Sequence, residues 1–106
     1  MSNKINQLVA FLKADPNDGF TRFALAMELQ KLGRIDDAIT LYQQLLSRDP
    51  EYVGVYYHLG KAFEQLNRTS DALRTYITGI EVASKHNDFH AASELQQAKT
   101  DLEWND

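Results

Sequence analysis

Apolar residues recur along this chain with the period of an α-helix. Leu25, Leu29 and Leu32 fall at i, i+4 and i+7, which places them on one stripe of a helix. Gly33 follows, and glycine takes the left-handed helix-ending conformation without steric cost. Ala38, Ile39, Tyr42, Leu45 and Leu46 then form the apolar face of a second helix, which Asp49-Pro50 stops, because a residue before proline avoids the α region. Leu59, Phe63 and Leu66 repeat the first stripe, with Asn67 in the place of Gly33. Ala72, Leu73, Tyr76 and Ile80 repeat the second. No proline stands at the Pro50 equivalent, Ser84, so this helix is expected to run on toward Lys85 or His86. Ile5, Leu8, Val9 and Leu12 mark a helix that ends at Asp15-Pro16, and Ala91, Leu95, Ala98 and Leu102 mark one near the other end. The pattern predicts six helices, over 3–14, 19–32, 36–48, 53–66, 70–86 and 89–103. Asp36 is expected to cap the third, and Thr69 or Ser70 the fifth.

Sliding the chain by 34 residues lays 19–52 over 53–86 without a gap. Six pairs are identical, namely Leu25/Leu59, Leu32/Leu66, Arg34/Arg68, Asp37/Asp71, Ala38/Ala72 and Tyr42/Tyr76. They occupy apolar, small and turn positions of one helical pattern, which signals a structural repeat. The small pairs Ala26/Gly60 and Ala38/Ala72 let two helices approach closely, with Tyr42 and Tyr76 filling the space beside them. A Leu at Ala38 or Ala72 is expected to overpack this crossing and cost about 1–3 kcal/mol.

The second unit reads Tyr56-x2-Leu59-Gly60-x2-Phe63, then Ala72-x3-Tyr76. The first reads Arg22-x2-Leu25-Ala26-x2-Leu29, then Ala38-x3-Tyr42 and Pro50. This resembles the tetratricopeptide repeat family, with Arg22 for the first aromatic, Ala26 for glycine and no second proline as departures. The resemblance implies an all-α fold of antiparallel helix-turn-helix repeats, stacked as a short right-handed superhelical α-solenoid. It divides a single domain, 1–106, into an N-terminal capping helix (1–16), two repeats (19–52 and 53–86) and a C-terminal capping helix (87–106). Lys4 stands where a repeat would carry the small Ala, and the polar residues His90, Ser93, Glu94, Gln97 and Asp101 share the side of the last helix opposite its apolar stripe. Both features suit caps.

Eleven Lys+Arg against 15 Asp+Glu give a net charge of -4, with no block of either sign. A nucleic-acid partner is not expected, since it calls for a clustered basic footprint. No apolar run approaches the roughly 20 residues that span a bilayer, so neither is a membrane. The chain has no cysteine, which excludes thiol chemistry and Cys-based zinc sites. A cytoplasmic protein is the default expectation. Neither a phosphate-cradling G-x-x-x-x-G-K nor a dinucleotide-binding G-x-G-x-x-G occurs. No catalytic residues and no cofactor are expected, and the protein is read as not an enzyme. His86, His90 and Glu94 are spaced i, i+4, i+8, which on one helix would align three metal ligands. Asn87-Asp88 reads as a break between them, so no metal site is expected.

The helix over 19–32 carries a second apolar stripe, Phe20, Phe23 and Met27, nearly opposite the first. Two placements fit it: an exposed groove, or burial under the N-terminal helix or the chain ends. His58 is likewise compatible with an exposed or a partly packed position. In tetratricopeptide proteins the first helices of the units line a concave, partner-binding surface. The resemblance implies that Phe20, Phe23, Met27 and Gln30 face it, with Tyr57, His58, Lys61 and Glu64 beside them. Some members clamp the terminal carboxylate of chaperone peptides with Lys, Asn and Arg. Here the corresponding places hold Phe23, Met27 and His58, which argues against a chaperone-tail adaptor and for an amphipathic helix or apolar peptide. The expected function is thus a non-enzymatic protein–protein interaction module, a scaffold or adaptor binding a peptide or helix of a partner protein in its concave groove. The alternative is a structural subunit that self-associates as a homo-oligomer or within a larger assembly, since two repeats are fewer than the three or so usually needed for stability.

Overall fold

A computed structural model describes residues 3–105 of the chain; residues 1, 2 and 106, which the expected domain bounds include, lie outside the described residues. Six helices follow one another: α1 (Asn3–Ala14), α2 (Gly19–Lys31), α3 (Ile35–Arg48), α4 (Val53–Gln65), α5 (Thr69–Lys85) and α6 (Phe89–Trp104). There is no strand among the described residues. Helices α2 and α3 form one antiparallel hairpin and α4 and α5 the next; α1 packs on α2, α3 on α4, and α6 on α5. The result is a short right-handed α-solenoid. Helices α2, α4 and α6 lie side by side along one of its faces.

Two kinds of joint connect the helices. Gly33, Asn67 and Asn87 adopt φ of 83°, 58° and 58°. Each is followed by a residue whose N–H reaches back to the last turn, Arg34 to Leu29 O, Arg68 to Phe63 O and Asp88 to Ala83 O, at 3.0, 2.9 and 2.8 Å. This is the Schellman arrangement, which satisfies the orphan carbonyls of a helix end. The other joint is Asp-Pro. Asp15 and Asp49 each accept a hydrogen bond from the backbone N–H two residues on, at 3.2 Å, an Asx turn.

The expected caps at Asp36, Thr69 and Ser70 are corrected. Helix α3 begins at Ile35 and α5 at Thr69, so Arg34 and Arg68 hold the cap positions and make no side-chain cap bond. The Schellman turn uses only one residue between the left-handed position and the helix, leaving the polar residues inside the first turn. Arg34 and Arg68 instead pair with Asp37 and Asp71, three residues ahead, at 2.7 and 2.9 Å. The carboxylates so placed also complement the helix dipole. Where the cap position holds an acid, it caps: Asp18 accepts from Thr21 N at 3.2 Å, and Asp88 from Ala91 N at 3.1 Å.

The core forms at the hairpin crossings. Ala26, Ala38, Ala62, Ala72, Tyr42 and Tyr76 are all fully buried. A Cβ on Gly60 would overlap the Tyr76 ring, so the absent side chain is what admits that ring. A Cβ on Gly79 would lie 2.6 Å from Tyr56 Cβ and 3.0 Å from Leu95 Cδ1, so Gly79 lets α5 fit between α4 and α6. Helix α5 extends to Lys85, as the missing proline predicts. Leu32 departs from the expected stripe: it sits at the end of α2 and is exposed. On α6, Leu95 and Ala98 are buried, while the exposed Gln96 and Glu103 bond along the helix to Thr100 and Lys99.

Candidate partner-binding face

The face made by α2, α4 and α6 carries a row of aromatic rings. Phe23, on α2, lies 5.5 Å from Tyr52, 5.5 Å from His58 and 6.1 Å from Tyr42 between ring centroids. His58, on α4, stacks toward Tyr42 at 6.5 Å and meets Tyr57 edge-on at 5.6 Å. Such tilted and edge-on contacts are favourable beyond the area they bury. Phe23, Tyr57 and His58 remain half-buried. They are therefore packed among themselves while still presenting surface, which is intermediate between the two placements considered for the second stripe.

Two hollows open on either side of this row. One, of about 270 Å³, lies between α2 and α4 and is lined by Met27, Gln30, Lys31, His58 and Gln65. The other, of about 350 Å³, lies between α4 and α6 and is lined by Tyr57, Lys61, His90, Ser93, Glu94, Gln97, Ala98 and Asp101. Seven of the eight expected residues meet here. Met27, Gln30 and His58 line the first hollow, and Tyr57 and Lys61 the second. Phe23 joins them through the His58 ring, and Glu64 sits beside Lys61, whose Nζ is 3.6 Å from Glu64 Oε2 and 5.6 Å from the Tyr57 ring centroid. Phe20 stands apart. It is 73% exposed at the start of α2 and borders a different hollow with Leu45, Arg48 and Tyr52.

Gln30 and Glu64 are also anchored from behind. Tyr42 donates its hydroxyl to Gln30 Oε1 at 2.7 Å, and Tyr76 donates to Glu64 Oε2. Gln30 in turn donates to Gln65 Oε1 at 2.8 Å and to the His58 carbonyl at 3.4 Å. Burial raises the pKa of both phenols, and the carboxylate of Glu64 adds to the rise at Tyr76. Both are therefore donors at neutral pH. Burial holds the His58 imidazole below its ordinary pKa, against a weaker upward pull from Glu94.

From its sequence the polar side of α6 is expected to be a solvated cap. It forms a wall of the second hollow as well, so His90, Ser93, Glu94, Gln97 and Asp101 belong to the face. The available signal was positional: α6 stands beside α4 as α4 stands beside α2. His86 lies at the end of α5 and His90 on α6, with left-handed Asn87 between them, so their spacing does not align them. His86 instead meets Glu51 at 3.0 Å. Among the described residues, no three His, Cys, Asp or Glu side chains gather as metal ligands. No helix among them is long and apolar enough to cross a membrane.

Residues 23–87 match the tetratricopeptide repeat family model. The solution structure of a tetratricopeptide repeat domain protein from Salinibacter ruber is 49% identical, with a TM-score of 0.82, covering 87% of this chain and 93% of that one. A protein of Bordetella parapertussis is 24% identical with a TM-score of 0.88, covering all of this chain and 92% of its own. The TPR2B domain of yeast Sti1, solved in a complex with pHsp70, is 20% identical with a TM-score of 0.89, covering 96% of this chain and 82% of that one. These last two share the fold. No curated protein matches the chain.

Proposed function

The chain belongs to the tetratricopeptide repeat family, and from that premise we propose that it binds a peptide or helix of a protein partner on the face of α2, α4 and α6. Members of the family are typically non-enzymatic interaction modules, and the fold is that of a protein-interaction scaffold. The observation that carries the reading is the half-buried row Phe23–His58–Tyr57 between two hollows. Rigid aromatic side chains beside open depressions are what interface anchors use, because they offer contact area at small entropic cost. Gln30 and Glu64, held from behind by Tyr42 and Tyr76, supply fixed polar groups within it. The test pairs Met27→Glu with Tyr57→Ala, both at half-buried positions. A partner captured from native lysate by the natural chain, and identified by mass spectrometry, is expected to be lost by the double variant at unchanged helicity. Undiminished capture counts against this face.

A second reading, self-association, is favoured by Phe11. Its equivalent one repeat later, Leu45, is 3% exposed, whereas Phe11 is 60% exposed. An apolar side chain in a position that the repeat normally covers is a candidate contact between copies. Light scattering over a concentration series is expected to show association that Phe11→Glu removes; a monomer throughout ends this reading.

A further inference from the structure

The two hollows of the face differ in chemistry. The one between α2 and α4 takes the Met27 side chain and the His58 ring, with Gln30, Gln65 and Lys31 around them, and Lys31 is paired with Glu28 at 3.6 Å. The one between α4 and α6 contains Lys61, Glu94 and Asp101. Lys61 is engaged within the protein, by Glu64 at 3.6 Å and by the Tyr57 ring. Its charge is therefore matched before the carboxylates of α6 are counted. Among the described residues, the Asp101 carboxylate accepts a hydrogen bond only from the neutral amide of Gln97, at 2.8 Å. Glu94 makes no salt bridge among the described residues, and its field reaches His58. Two exposed carboxylates thus stand on the wall of this hollow without a salt bridge among the described residues. Tyr57 and His58, adjacent on α4 and 5.6 Å apart, join the two hollows.

We infer that the partner segment places an apolar side chain in the Met27–His58 hollow and, next to it, a Lys or Arg side chain against Tyr57, Glu94 and Asp101. The face selects basic segments and rejects acidic ones. A cation there meets carboxylates and an aromatic ring together, both of which attract it. An acidic side chain meets two like charges and finds Lys61 already paired. The inference rests on the reading above that this face binds polypeptide, and it adds the sign of the partner's charge.

A displayed library of random 12-residue peptides, selected against the full chain, tests it. Binders that use the face are those lost on Met27→Glu. They are expected to be enriched in Lys and Arg and depleted in Asp and Glu. Their affinity is expected to weaken about tenfold or more with Glu94→Lys, corresponding to about 1.4 kcal/mol, and less with Glu94→Gln. It is also expected to fall with added salt, as for screened charge pairs. Face-dependent binders that are uncharged or acidic, or that tolerate Glu94→Lys, overturn the inference and leave the face as a binding site. If no binder responds to Met27→Glu, the face itself is removed, and the inference with it.

Discussion

Tyr42 donates its hydroxyl to Gln30 across 2.7 Å, from the second helix of a hairpin to a residue on the outer face of the first. The same bond recurs 34 residues later between Tyr76 and Glu64. Each tyrosine is fully buried, so the ring that fills the hairpin crossing also fixes a polar side chain of the candidate binding face. Packing and presentation share one residue in each repeat.

Removing the hydroxyls is expected to separate these roles. Tyr42→Phe is expected to cost about 0.5–1.5 kcal/mol, the ordinary worth of a neutral hydrogen bond, and Tyr76→Phe about 1.5–3 kcal/mol, because its acceptor is a carboxylate. Urea unfolding of the two variants gives the comparison. Equal losses would mean that the Glu64 charge adds nothing.

Gly60→Ala is expected to destabilise by about 1–3 kcal/mol, since the new methyl meets the Tyr76 ring and overpacks the crossing. This outweighs the ~1 kcal/mol that alanine gains over glycine in a helix. Gly54→Ala is the control. It is exposed on α4 with Phe23 no closer than 3.9 Å, so it is expected to stabilise by about 0.4–1 kcal/mol. Thermal midpoints should move in opposite directions.

The left-handed joints predict a second contrast. Gly33→Ala places a Cβ at φ of 83° and is expected to cost about 1–2 kcal/mol, although nothing lies within 4 Å of that Cβ. Asn67→Gly keeps the conformation accessible and is expected to change stability by under about 1 kcal/mol. Chemical denaturation distinguishes backbone strain from lost contacts here.

His58 gives a pH signature. Its pKa is depressed in the folded chain by burial, so the unfolded chain takes up the proton first as pH falls past about 6.5. The stability contributed by the neutral ring is complete above that value and is lost as pH drops through the folded pKa. His58→Gln is expected to flatten the fall in urea midpoint just below pH 6.5. Glu28, held below its ordinary pKa by the hydrogen bond from Lys4, and Asp71, held down by that from Arg74, lose their contributions at lower pH. An unchanged slope in His58→Gln would refute the lowered pKa of this half-buried ring.

Helix number, order and ends were legible because two independent signals coincide at each joint: the end of a 3.6-residue stripe, and either a residue tolerant of positive φ (Gly33, Asn67, Asn87) or an Asp-Pro pair. The caps at Arg34 and Arg68 were not, since Asp, Ser and Thr outrank arginine as caps and only the hydrogen bonds of the turn set where the next helix starts. The place of α6 was hidden by register. Helices α2 and α4 begin at 19 and 53, 34 apart, but the longer α5 delays α6 to 89, 36 residues after α4. A strict 34-residue comparison therefore sets α6 against the wrong positions, and its equivalence to α2 and α4 disappears. Apolar spacing also says which side of a helix is buried, not which neighbour its polar side will border. That is why the spacing marks Glu94 and Asp101 as solvated, which they are, but not as a wall of the face.

The hydrogen bonds that run along α6, from Gln96 to Thr100 and from Lys99 to Glu103, leave that terminus with hydrophilic groups already engaged with one another. Fibrous polymers need both poles of a subunit to be adhesive. Phe89 and Trp104 on the same helix are nevertheless 70% and 84% exposed, so the α6 end is apolar as well as the Phe11 end, and any association through Phe11 closes as a pair only where the contact is isologous, one patch against its own copy.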